Sequence, residues 1–170
     1  MKILSYNYSS QVIPNYSQSE LARQEKNDCF VRAVAAASGS TYEPAHKFVK
    51  ETFNRVNGQG TQGAGAVLKT IENKAQKVGN IEVTFKELPV TETKNFYKLH
   101  GRVIPRDKTV KSFIKSNPVG TYIVLVAQHA FTIKDGVLID NRGEEFRPTR
   151  KVQSAFKVAA KQPEIQLSLF

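Results

Sequence analysis

The distribution of apolar residues changes character along the chain. Residues 1–20 are polar and rich in Tyr and Ser, with one short strand expected at the start. From Cys29 to Ser38 the sequence reads CFVRAVAAAS, dense in alanine and apolar nearly all round, which predicts a buried helix. Asn27 or Asp28 can cap its N-terminus and Gly39 can end it. A second helix is predicted over residues 42–53. Thr41 stands at its cap, Pro44 in its first turn, and Ala45, Phe48 and Val49 form an inner stripe. Residues 66–78 also read as helix, 81–86 alternate as a strand, and 107–116 predict a short helix stopping before Pro118. The pattern then turns to β-branched and aromatic residues. Residues 119–127 (VGTYIVLVA) predict a buried strand, continued by 128–134. Asp135-Gly136 is a strong two-residue hairpin signal, with residues 137–140 returning. A last strand or short helix is expected over 151–158. Helices first and antiparallel strands later predict an α+β fold.

Several function classes drop out early. The only apolar run near the start is Ile3-Leu4, too short for the core of a signal peptide, and no stretch is long enough for a transmembrane helix. With one cysteine no internal disulfide can form, so a reducing cytoplasm is the expected compartment. The glycine-rich segment NGQGTQGAG, residues 57–65, predicts a mobile loop, either the border of a cleft or a plain connector. It is not a phosphate loop, because no Gly-Lys-Ser/Thr follows. No metal or cofactor is called for.

The formal net charge is +10, which favours acidic partners. It lies in two zones: Arg102, Arg106, Lys108, Lys111 and Lys115, then Arg147, Arg150, Lys151, Lys157 and Lys161. Such zones are either a solvated face or a surface for non-specific nucleic-acid contact.

The candidate chemistry centres on Cys29. A thiol becomes a good nucleophile when its pKa falls, and a helix N-terminus and a nearby imidazolium both lower it. Cys29 stands where a helix should begin. Of the three histidines, His46 is expected on the polar side of its helix, at the surface, and His100 has no evident partner. His129 sits on a strand just before the tight hairpin, a rigid mount for a base. With a two-residue turn, Lys134 faces Val137 and Phe131 faces Asp140. His129 and Asp140 then share a face as diagonal neighbours, backbones roughly 7 Å apart. A three-residue bulged turn would favour Asn141 instead. Oxyanion donors are expected from the Cys29 backbone N–H and from a side-chain amide upstream, Gln24 or Asn27.

An N-terminal helix headed by Cys, then a strand-borne His, then an Asp or Asn on the next strand is the papain-like order. The run Asn27-Asp28-Cys29-Phe30-Val31-Arg32-Ala33, with Gly39 and Tyr42-Glu43 behind it, resembles the small papain-like cysteine peptidases of bacteriophages and bacteria. Gly120-Thr121-Tyr122, His129-Ala130 and residues 135–140 resemble the His/Asp half of that group. The resemblance covers about residues 20–158. It implies N-terminal helices packed on a C-terminal antiparallel sheet, a polypeptide or other acyl substrate, catalytic roles for Cys29, His129 and Asp140, and an oxyanion role for Gln24. The chain departs from the pattern in having no Cys-Gly-Ser-Cys-Trp run and no Trp, and its amide lies five residues upstream rather than six.

The chain ends Gln166-Leu167-Ser168-Leu169-Phe170, which resembles the bacterial sliding-clamp binding peptide at all five positions. Leu167, Leu169 and Phe170 would fill an apolar groove and Gln166 would bond at its rim. The domain organisation expected is a hydrolase domain over 1–160 with a tail over 161–170. If the chain is phage-encoded, it would act in the host bacterial cytoplasm. The alternative is an inert papain-like fold that interferes with replication through the tail alone.

Overall fold

The computed structural model describes residues 4–92, 98–99, 102–103, 105–142 and 146–163, with backbone alone for 98–99 and 102–103. It is a mixed α+β structure with six α-helices among the described residues. They are α1 (Ser9–Val12), α2 (Glu20–Gln24), α3 (Cys29–Ser38), α4 (Tyr42–Phe53), α5 (Ala64–Thr70) and α6 (Val110–Ser116). The strands are β1 (Tyr6–Tyr8), β2 (Gln76–Val78), β3 (Ile81–Leu88), β4 (Thr91–Glu92), β5 (Lys98–Leu99), β6 (Arg102–Val103), β7 (Arg106–Asp107), β8 (Thr121–Val126), β9 (His129–Lys134), β10 (Val137–Asp140) and β11 (Ser154–Lys161). Seven of them form one sheet in the order β1-β10-β9-β8-β11-β3-β2, and β4–β7 and β5–β6 are separate ladders.

The sheet has a core on each face, and side chains alternate between them along every central strand. On β8, Ile123 joins the core under α3 and α4, while Tyr122, Val124 and Val126 join the core under α6. On β9, Ala130 faces α3, and Phe131 and Ile133 face α6. The alanines of α3 let its backbone lie close to β9. There the Thr132 hydroxyl donates to the Ala33 carbonyl at 2.8 Å, in the core and across 99 residues of sequence. Gly39 closes α3 in the left-handed conformation at φ 76, which suits a residue without Cβ.

The two long helices occupy the predicted ranges, and several other elements differ. Residues 66–78 are not one helix: α5 stops at Thr70, and Gln76–Val78 pairs with β3. Asn73 takes a positive φ of 58 and donates its N–H to the Phe85 carbonyl, which turns the chain onto the sheet. The long apolar stretch from Val119 is broken by a turn at Ala127-Gln128, with Gln128 at φ 57 and Val126 opposite His129. The stretch around 151–158 is strand β11. The polar N-terminal region holds β1, α1, a 3-10 turn and α2. The sheet is neither wholly C-terminal nor wholly antiparallel. Strands β2 and β3 come from the middle of the chain, and β1 pairs with β10 in parallel. A surface of the sheet large enough for two cores needs these extra strands.

Candidate active site

Asp28 occupies the N-cap position of α3, yet its side chain does not cap the helix. Both of its oxygens lie 3.1 Å from Arg32 Nε, and Oδ2 accepts from the buried Tyr42 hydroxyl at 2.7 Å. The predicted cap is therefore an ion pair, because Arg32 one turn later competes for the carboxylate. This leaves the leading backbone N–H groups of α3 free to serve the residue at its head. The Phe30 N–H is one of the groups that favour the thiolate form of Cys29. The thiol is partly buried.

His129 and Asp140 reach the same place from β9 and β10. The turn between these strands has Asp135 at φ 47 and Gly136 at φ 78, the two positive values a type I′ turn requires. It pairs Lys134 with Val137 and so puts His129 and Asp140 on one face. His129 Nε2 lies 2.8 Å from Asp140 Oδ1, and both side chains are buried. With Nε2 taken by the carboxylate, Nδ1 is the ring nitrogen left to act on the sulfur, and His129 and Cys29 each shift the other's ionisation. Phe131 and Phe146 pack against the imidazole, with ring centroids 6.1 and 6.4 Å away. Asn141 gives its backbone N–H to Asp140 Oδ1 at 2.7 Å, so it is Asp140 that orients the ring.

The electrostatics of the pair follow from these bonds. Burial pushes the Cys29 thiol up. The hydrogen bond from His129, the Ala130 N–H, the imidazolium charge and the Phe30 N–H outweigh it and hold the thiol below its ordinary value. Burial pushes His129 down. The bonds and charges of Asp140 and Cys29 overcome that and raise it to about 9. A thiolate–imidazolium pair is the state this arrangement favours.

No family model, curated protein or solved structure matches this chain. The reading of the site therefore rests on its own geometry.

A cleft of about 580 Å³ opens onto Cys29 and His129. It is lined also by the glycine-rich segment at residues 60–65, the ends of β8 and β9, and Gln153 and Ser154. The glycine-rich loop thus borders a cleft. Gly65 packs closely there: a Cβ would come within 3.3 Å of Leu125 Cδ1 and Ser154 Oγ.

Other predicted residues lie elsewhere. Gln24 is exposed on α2 and donates to the Glu20 carboxylate at 3.1 Å, and it does not line the cleft. Asn27 donates to the Gly58 carbonyl at 3.0 Å. His46 is not at the surface. It is 6% exposed, with Nε2 2.7 Å from Glu25 Oε2. The polar look of α4 hid this, because the partner comes from another part of the chain. Arg55 completes the cluster, with Nη1 3.1 Å from the same oxygen and Nη2 donating to the Lys26 carbonyl. The N–H groups of Lys26 and Gly58 fill Glu25 Oε1. Glu25 is driven down to about 2: burial works against this, and the Arg55, His46, Lys26 and Gly58 bonds prevail. The cluster fastens the segment before Cys29 to the start of the glycine-rich loop. No spacing in the sequence signals it.

His100 and the terminal motif Gln166–Phe170 lie outside the described residues. Among the described residues, no group of three or more His, Cys, Asp or Glu could hold a metal, and no helix is long and apolar enough to cross a membrane.

Proposed function

We propose that this chain is a papain-like cysteine peptidase or amidase acting through Cys29, His129 and Asp140. The observation that carries the reading is the placement of Cys29, at the head of a buried helix, in one cleft with His129, whose Nε2 lies 2.8 Å from Asp140 Oδ1. The thiolate attacks the acyl carbon. As the C–N bond breaks, His129 gives its Nδ1 proton to the leaving nitrogen, leaving a thioester on Cys29. Water then attacks the thioester while His129 takes its proton. The acid leaves and the thiolate–imidazolium pair is restored. Asp140 holds the tautomer that keeps Nδ1 directed at sulfur. The Cys29 N–H is one oxyanion donor. The second is a side-chain amide: Gln24 after releasing Glu20, or Gln128, which already lines the cleft. Comparing Gln24→Ala with Gln128→Ala separates the two.

The deciding experiment is the rate of Cys29 alkylation against pH, in the wild type and in His129→Ala. A thiolate that titrates well below about 8.5, and returns upward without His129, supports the dyad. A thiol indifferent to His129 removes it.

The terminal Gln166-Leu167-Ser168-Leu169-Phe170 favours a second element of function, docking on a bacterial sliding clamp. Deleting residues 166–170 should abolish clamp pull-down and leave Cys29 alkylation unchanged. Should the thiol prove inert while pull-down persists in the full chain, the protein acts by occupying the clamp and interfering with replication. Either role suits a bacterial cytoplasm, where a lone thiol stays reduced.

A further inference from the structure

Among the described residues, the cleft at Cys29 is lined by no ionisable side chain apart from Cys29 and His129. The charge lies next door. A second cavity, of about 290 Å³, is walled by Ala127, Gln128, Arg142, Phe146, Arg147 and Arg150. Gln128 lines both cavities, so the two meet at the turn that precedes His129. Phe146 lines the second cavity and packs toward the cleft's histidine. Its ring packs 6.4 Å from the His129 ring and 4.7 Å from Phe131, and the Arg150 guanidinium lies 5.9 Å from its centroid. Arg150 also donates Nη2 to the Ala127 carbonyl, which fixes that fork against the turn.

None of these three arginines forms an ion pair among the described residues, whereas Arg32, Arg55, Lys69 and Lys77 each hold a carboxylate. Residues 143–145, which include Glu144 and Glu145, lie outside the described residues. Guanidinium groups gathered around one small cavity repel one another, and an oxyanion relieves that repulsion while accepting from their N–H forks.

We propose that this pocket is an anionic subsite of the same enzyme, which takes a carboxylate or phosphoryl group carried by the acyl substrate close to the bond that is cut. The proposal rests on the thiol-hydrolase reading and adds its substrate class: a chain with an acidic residue near the scissile bond, its uncharged backbone lying in the neutral cleft.

The test uses three alkylating reagents on the full chain at low salt: the α-amides of N-iodoacetyl-aspartate, N-iodoacetyl-phosphoserine and the neutral isostere N-iodoacetyl-asparagine. At least one acidic reagent should alkylate Cys29 about tenfold faster than the neutral one. The faster of the two identifies the preferred anion. Arg142→Gln/Arg147→Gln should reduce the advantage to about twofold or less, the residue left to overall charge. Lys50→Gln/Lys86→Gln, which removes the same charge on α4 and β3, should preserve it. Equal rates for acidic and neutral reagents in the wild type overturn the proposal, as does an advantage that both double variants lose equally. The absolute rate with the neutral reagent judges the activated dyad. The ratio judges the pocket and needs only a reachable thiol, so the two readings fail separately.

Discussion

Among the described residues stand two buried histidine–carboxylate pairs of nearly equal length. His46 Nε2 lies 2.7 Å from Glu25, and His129 Nε2 lies 2.8 Å from Asp140. What surrounds them differs. Both oxygens of Glu25 are filled, by His46, Arg55 and two backbone N–H groups, and the cluster ties loops together. Asp140 uses one oxygen for His129 and the Asn141 N–H, while Oδ2 is buried with no partner among the described residues. Glu25 is shared with a permanent cation. The other nitrogen of His129 instead meets a thiol that can lose its proton, at the edge of a cleft. A histidine–carboxylate pair becomes a candidate engine only where its second nitrogen has a proton to exchange and a substrate can arrive.

Breaking the reactive pair should give the largest effect. Cys29→Ala is expected to abolish turnover of any acyl substrate with the circular dichroism spectrum unchanged; residual turnover would take Cys29 out of the chemistry. Asp140→Asn should lower kcat/KM by about 100-fold, since the ring loses both its orientation and the charge that stabilises imidazolium. The pH profile sharpens the point. Activity should rise as Cys29 ionises, below its ordinary value, and fall as pH passes about 9, where His129 loses the proton the leaving group needs. In Asp140→Asn that alkaline limb should move down toward the ordinary histidine value of 6.5.

Breaking the other pair should alter stability and leave the thiol's titration in place. Glu25→Gln is expected to cost about 3 kcal/mol at neutral pH, because it leaves Arg55 buried beside a neutral partner. The folded-state pKa of Glu25 lies below its ordinary value. Its contribution is therefore complete above about 4.5 and is lost as pH falls toward about 2. Urea melts of wild type and variant should converge across that window, and a gap independent of pH would contradict the ionic account. The smallest effect belongs to the tether between α3 and β9. Thr132→Val should cost about 1 kcal/mol in the same melts, for one buried hydrogen bond to the Ala33 carbonyl.

Local chemistry decided which features could be read from sequence. The apolar run from Cys29 and the stripe of Ala45, Phe48 and Val49 mark α3 and α4, because a buried helix writes its own period. Asp135-Gly136 admits the tight turn, and the turn sets the register that brings Asp140 to His129. What escaped depends on distant partners. Nothing near His46 announces Glu25, nothing near Asp28 announces the Tyr42 hydroxyl, and no periodicity gathers Arg142, Arg147 and Arg150 around Phe146. The Ala127-Gln128 turn was hidden because β8 and β9 are both apolar and the residues between them lack glycine.

The position of β11 governs the order in which this molecule can be assembled. It lies between β8 and β3 and, among the described strands, joins them by pairing with both. Until residues 154–161 leave the ribosome, the sheet exists as two unjoined pieces, one bearing His129 and Asp140, the other the β-surface beneath Phe48 and Phe85. Such late, long-range closure makes for slow folding. Cys29, His129 and Asp140 all belong to the first piece, because α3 packs on β9 and β10, so the three can meet before the sheet is sealed.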